Sequence, residues 1–154
     1  MSENASATNP KYRDRALLSF GFAGAFRRSE LVALNTEDMI DHAEHGVDVI
    51  IRRSKTDQQA KGERIAIVRE ADSVYCPVNA LEIWLRAAAI ADGALFRRIS
   101  RGDHFQGTAL SAQSVALIVK QYAQKAHLDP AQFAGHNLRS GFLTSAARKR
   151  ASIF

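Results

Sequence analysis

The chain has 154 residues, 46% of them hydrophobic, and a formal net charge of +5. That suffices for one domain with a genuine core and is too short to expect two. A single cysteine, Cys76, excludes an internal disulfide framework and a cysteine-built metal site and favours a cytoplasmic protein, and the five histidines show no metal-ligand spacing.

The charge is local. Residues 52–69 carry six basic side chains against Asp57 and Glu63, and residues 135–154 add four more with no acid, so the remainder of the chain is net acidic. Such clustering suits a surface for a polyanion better than a uniformly solubilising charge does. The apolar run Ala16 to Phe26 is eleven residues, short of the ~20 needed to cross a bilayer, so no membrane span is expected and a buried helix is.

Residues 1–10 (MSENASATNP) are polar, small and aperiodic, which predicts a flexible lead-in to a domain over 11–154. From Lys11 to about Ala25 the pattern is helical and apolar around much of its circumference, which places this helix at the centre of the core. Arg27 and Arg28 follow directly, and Leu31 and Leu34 continue a short helix whose start is capped near Arg28 and Ser29. An arginine there stands at the edge of the core, and Glu30 is positioned to orient it by a charge-assisted hydrogen bond. A solvated helix turn with an Arg/Glu pair fits the same residues.

Val47 to Arg53 and Glu63 to Arg69 are rich in β-branched residues and predict an antiparallel hairpin, with Met39 to Ala43 as a third strand. Residues 54–61 (SKTDQQAK) form its tip, with Lys55 at the base and Arg53 and Lys61 flanking it. Pro77 opens a helix over Val78 to Ala91, striped with Leu81, Trp84, Leu85 and Ala88 and ended by Asp92-Gly93. Leu95 and Phe96 return to the core, and Arg97, Arg98 and Arg101 fall in a polar loop. Ser111 caps a helix to about Ala126 that buries Val115, Ile118, Val119 and Tyr122. Its outward Gln113, Ser114, Lys120 and Gln121 are residue types that contact phosphates and base edges, and also types that any soluble helix carries.

After the break at Leu128-Asp129-Pro130, a last helix is predicted from about Asn137 to Lys149. His136 and Arg139, three apart at its start, share one face beside unpaired backbone N–H groups, a combination able to hold a phosphate. Neither a Gly-rich phosphate loop nor a G-x-S-x-G elbow is present.

Three segments in order, FRRSEL, SKTDQQAKGERIAI and GHNLRSGF, resemble the catalytic domain of tyrosine recombinases, the phage-integrase family, and the likeness covers nearly the whole chain after Lys11. It implies an α+β, mainly helical fold with a small three-stranded antiparallel sheet. It also implies site-specific cleavage and rejoining of double-stranded DNA, with no cofactor or metal, by a protein that assembles as an oligomer on DNA. The implied catalytic residues are Arg27, Lys55, His136 and Arg139, with Glu30 in support; DNA contacts are expected from Arg53, Lys61, Gln113 and Lys120. In the family scheme the arginines clamp the non-bridging oxygens of a five-coordinate phosphorus, the lysine is general acid for the leaving 5′ oxygen and the histidine assists proton transfer.

The family's tyrosine nucleophile lies some tens of residues past the H-x-x-R pair, whereas fifteen residues follow Arg139 here, and Tyr12, Tyr75 and Tyr122 all precede it in unmatched segments. Arg150 also stands where the family usually turns through glycine. The expectation is a catalytic domain cut before its nucleophile, binding DNA without covalent capture. Two other classes fit the basic clusters: a DNA-binding regulator that never cleaves, and a helical interaction domain with solvated basic faces.

Overall fold

A computed structural model describes residues 10–52, 62–70, 76–100 and 104–129. In chain order they form helix α1 (Pro10–Gly24), the short helix α2 (Arg28–Ala33), a 3₁₀ turn (Thr36–Asp38), strand β1 (Met39–Asp41), a second 3₁₀ turn (Ala43–His45), and strands β2 (Gly46–Ile51) and β3 (Glu63–Val68). Helix α3 (Pro77–Ala87), strands β4 (Arg97–Ser100) and β5 (His104–Ala109) and helix α4 (Ala112–Lys125) follow. The class is the expected one, mainly helical with a three-stranded antiparallel sheet.

Helix α1 is the centre of the core, as its all-round apolar pattern predicts. Ala16, Leu17, Leu18 and Phe20 are fully buried, and the helix packs most extensively on α3, whose Leu81 and Trp84 are equally buried. The Trp84 indole N–H donates to the Leu95 carbonyl at 2.8 Å, so the bulkiest core residue also satisfies its polar atom. Polar side chains of α1 enter the interior only in company. Arg13 Nη2 lies 2.9 Å from the Asp14 carboxylate, Arg13 Nη1 donates to the Arg97 carbonyl, and the Tyr122 hydroxyl donates to Asp14 at 3.2 Å. This network ties α1 to β4 and α4, as buried charge requires.

Three helices end in the same way. After α1, the Ala25 N–H bonds Phe22 O and the Phe26 N–H bonds Gly21 O, with Ala25 at φ +53°. The same pair of bonds closes α3 around Ala89 and α4 around His127. These are Schellman closures with a residue other than glycine in the left-handed position. The closure at Ala89 corrects the predicted end of α3. The helix stops at Ala87 rather than Ala91, because the Ile90 N–H reaches back to Leu85 O and Ile90 then packs on the core. Tertiary packing overrides the helix preference of three consecutive alanines.

The sheet has the order β1-β2-β3, with Met39 opposite Val49 and Ile51 opposite Glu63. Val47, Val49 and Ile51 face the core while Asp48 and Ile50 face outward, the alternation of a half-buried strand. Gly46 enters β2 at φ +126°, and a Cβ there would lie 2.1 Å from Ile67 O, so only glycine fits. Arg69 leaves β3 and locks the sheet to α3, donating to Ala43 O at 3.0 Å, to Asn79 Oδ1 at 2.6 Å and to Glu82.

A second correction concerns Arg97 and Arg98. They lie not in a polar loop but in β4, paired antiparallel with β5 in a separate two-stranded sheet. The register shifts between Arg97 and Ile99, and the first strand opens on two arginines, so neither alternation nor apolar content marks it. It is held by the Leu110 N–H bond to Phe96 O at 2.9 Å and by the Arg97 guanidinium, whose Nε donates to Ala94 O at 2.8 Å.

Candidate functional site

A cleft of about 720 Å³ opens between α2 and the ends of β2 and β3, lined among others by Arg27, Glu30, Asp38, Arg52 and Glu63. Its position follows from the residues flanking Arg27. Phe26, on one side, is fully buried and stacks on Phe20 with ring centroids 5.7 Å apart; Leu31, on the other, is fully buried too. Both ends of the first turn of α2 are thus anchored in the core, and the exposed Arg27 side chain stands at the rim of the cleft.

Arg27 is the N-cap of α2, with extended backbone at φ −77° and ψ 155°. Its backbone N–H donates to Glu30 Oε1 at 2.6 Å. Glu30 therefore supports Arg27 by a route different from the one expected: its carboxylate holds the main chain of the cap, the return half of a capping box. A guanidinium has no acceptor, so the reciprocal half is impossible for arginine. Arg28, the other candidate in the FRRSEL segment, is half-buried and does not line the cleft.

Opposite stands Arg52, at the exit of β2. Its Nε lies 2.9 Å from Asp38 Oδ1 and its side chain is 67% exposed, whereas that of Asp38 is 4% exposed. The second Asp38 oxygen accepts the Asn35 N–H at 2.9 Å. Arg52 Nη2 also lies 3.3 Å from Glu37, an exposed pair of small energetic weight.

Of the other expected site residues, Gln113 is exposed on the first turn of α4 and Lys120 half-buried on its third. Neither lines the cleft. Lys55, His136, Arg139, Arg53 and Lys61 lie outside the described residues. Sequence reasoning overlooked Asp38 and Arg52. Asn35-Thr36-Glu37-Asp38 carries the spacing of a capping box, which could have marked Asp38; nothing local links it to Arg52, fourteen positions on.

The Tyr122 hydroxyl is committed to Asp14. Burial, and then the Asp14 charge, push its pKa up to about 12, the opposite of what activates a nucleophile. Among the described residues no group of three or more His, Cys, Asp or Glu could hold a metal, and no helix is long and apolar enough to cross a membrane.

The chain belongs to the phage integrase family, which it matches over residues 1–153. It is 50% identical over 136 residues to a protein of Selenomonas ruminantium described as an integrase/recombinase xerD homolog, an alignment covering 88% of this chain and 40% of that protein. The chain thus spans less than half the length of this curated relative.

Proposed function

We propose that this chain supplies the phosphate-clasping part of a site-specific recombinase that cuts and rejoins double-stranded DNA through a phosphotyrosine intermediate. The observation that carries the reading is the presentation of Arg27: an exposed guanidinium on a capped helix start, anchored in the core on both sides and facing a β-hairpin across an open cleft, in a chain of the integrase family. In this reading Arg27 and Arg139 clamp the non-bridging oxygens as charge develops on them. Lys55 protonates the leaving 5′ oxygen, His136 assists proton transfer and Glu30 keeps the Arg27 cap in place. Arg53, Lys61, Gln113 and Lys120 contact the flanking duplex, and the parent protein assembles as an oligomer on DNA in the cytoplasm. Exchange of a phosphodiester for a phosphotyrosine ester conserves bond energy, so the scheme itself calls for no nucleotide cofactor.

Tyr12, Tyr75 and Tyr122 fall outside the family's nucleophile segment, and Tyr122 is held as a neutral donor. The chain alone should therefore bind a nicked duplex reversibly and without a covalent adduct. Binding should weaken steeply with salt and lose about tenfold in affinity in Arg27→Ala, as expected for one charge-assisted contact. A denaturant-resistant protein–DNA adduct would overturn the tyrosine assignment, and salt-insensitive binding would overturn the DNA reading.

A further inference from the structure

Arg52 is the second guanidinium of the Arg27 cleft, and its surroundings differ from those of an ordinary surface arginine. Its side chain is mostly exposed, yet its Nε is held by a carboxylate that is almost fully buried. Both Asp38 oxygens are engaged, one by the Asn35 amide and one by Arg52. With Nε on Asp38 and Nη2 near Glu37, Nη1 has no partner among the described residues. A buried acid with two fixed partners restrains an otherwise flexible side chain, and less rotamer freedom then remains to be lost when a ligand is bound.

We infer that Arg52 is a further DNA-phosphate contact of this cleft, and that Asp38 is the positioning residue that presents it. This inference rests on the cleft being the DNA site. Arg52 supplies a permanently charged donor three residues before Lys55, on the wall opposite Arg27. Asp38 reaches no phosphate itself; it holds Nε and leaves the outer N–H groups of the fork for an oxygen of the DNA backbone.

The test uses the whole chain, a nicked duplex and affinities measured over a range of salt concentrations. Arg52→Ala should bind about tenfold more weakly and flatten the slope of log affinity against log salt by about 0.9, one phosphate's worth. Arg86→Ala, which removes an exposed charge on α3 outside the cleft, should leave the slope unchanged. Asp38→Asn and Glu37→Gln each remove one negative charge beside Arg52, so charge alone predicts tighter binding for both. Positioning predicts tighter binding for Glu37→Gln and about threefold weaker binding for Asp38→Asn, which loses the ion pair that holds Arg52.

Denaturation followed by Trp84 fluorescence identifies any variant that is not folded. If Asp38→Asn is not folded, Asp38→Glu substitutes: it keeps the charge, so charge alone predicts unchanged binding, whereas positioning predicts weaker binding because the longer side chain no longer fixes Arg52 Nε. Where both single variants fold, adding Asp38→Asn to Arg52→Ala should weaken binding no further. Tighter binding by folded Asp38→Asn, or further weakening in the double variant, overturns the positioning role. If Arg27→Ala flattens the slope and Arg52→Ala does not, the function stands and the Arg52 contact is wrong. If neither does, the cleft is not the DNA site.

Discussion

Gly24 and Ala25 make adjacent and opposite demands on the chain, and exchanging their side-chain types tests how Arg27 is held. A Cβ at Gly24 would lie 2.4, 2.6 and 2.9 Å from the Phe26 ring carbons Cε2, Cζ and Cδ2, where carbon atoms normally keep at least about 3.5 Å. The ring must move by roughly 1 Å, yet it is fully buried and stacked on Phe20. Overpacking of this kind costs about 1–3 kcal/mol, and the better helix propensity of alanine offsets less than ~1 kcal/mol of it at a helix end. Gly24→Ala should therefore lose about 2 kcal/mol, or roughly 6 °C in Tm. Ala25 is at φ +53°, where glycine has no Cβ penalty, so Ala25→Gly should gain about 0.5 kcal/mol after its larger unfolded-state entropy is counted. Urea unfolding read by the single tryptophan, Trp84, measures both. A Gly24→Ala protein within about 0.5 kcal/mol of the parent would refute the packing argument. Because Phe26 directly precedes Arg27, Gly24→Ala should also weaken DNA binding while leaving every charged residue in place.

Removing the cap acceptor with Glu30→Ala should cost about 1–2 kcal/mol and speed amide exchange at Arg27, whereas Glu30→Gln, which keeps an acceptor oxygen, should lose less than half as much. Equal losses in the two would point to ion pairing with the guanidinium instead. Tyr122 is raised to about 12 in the folded state against an ordinary value near 10. The stability it contributes is complete below pH ~10 and is lost as pH rises toward 12. With the ring only partly buried against the core, the loss should be about 1 kcal/mol, and pH-dependent unfolding of Tyr122→Phe should lack that part of the decline. Arg69→Ala should lower the urea midpoint by releasing the sheet from α3, and Arg69→Lys should recover little, since one ammonium cannot reach Ala43 O, Asn79 and Glu82 together.

Much of this protein is legible from local pattern alone. The all-round apolar face of α1, the Ser111 cap, Pro77 at the first turn of α3 and the β-branched runs of β2 and β3 each express a preference that packing then reinforces. The family resemblance rests on three such local segments. What pattern does not encode is long-range pairing. The β4–β5 hairpin has no alternation to announce it and exists because Phe96, Leu110 and Arg97 meet partners supplied by the fold. The end of α3 is decided by where Ile90 can be buried, against the helix preference of its own residues.

The same division runs through the candidate site. That an arginine and a glutamate three apart act together at a helix start is legible from their spacing, since it places them on one turn. That Glu30 binds the Arg27 backbone rather than its guanidinium depends on the fold, because the buried anchors at Phe26 and Leu31 fix the cap conformation. The fold likewise brings Asp38 and Arg52 together on one side of the cleft: a buried carboxylate must find a cation, and the cation within reach is the one that the register of β2 against β1 delivers.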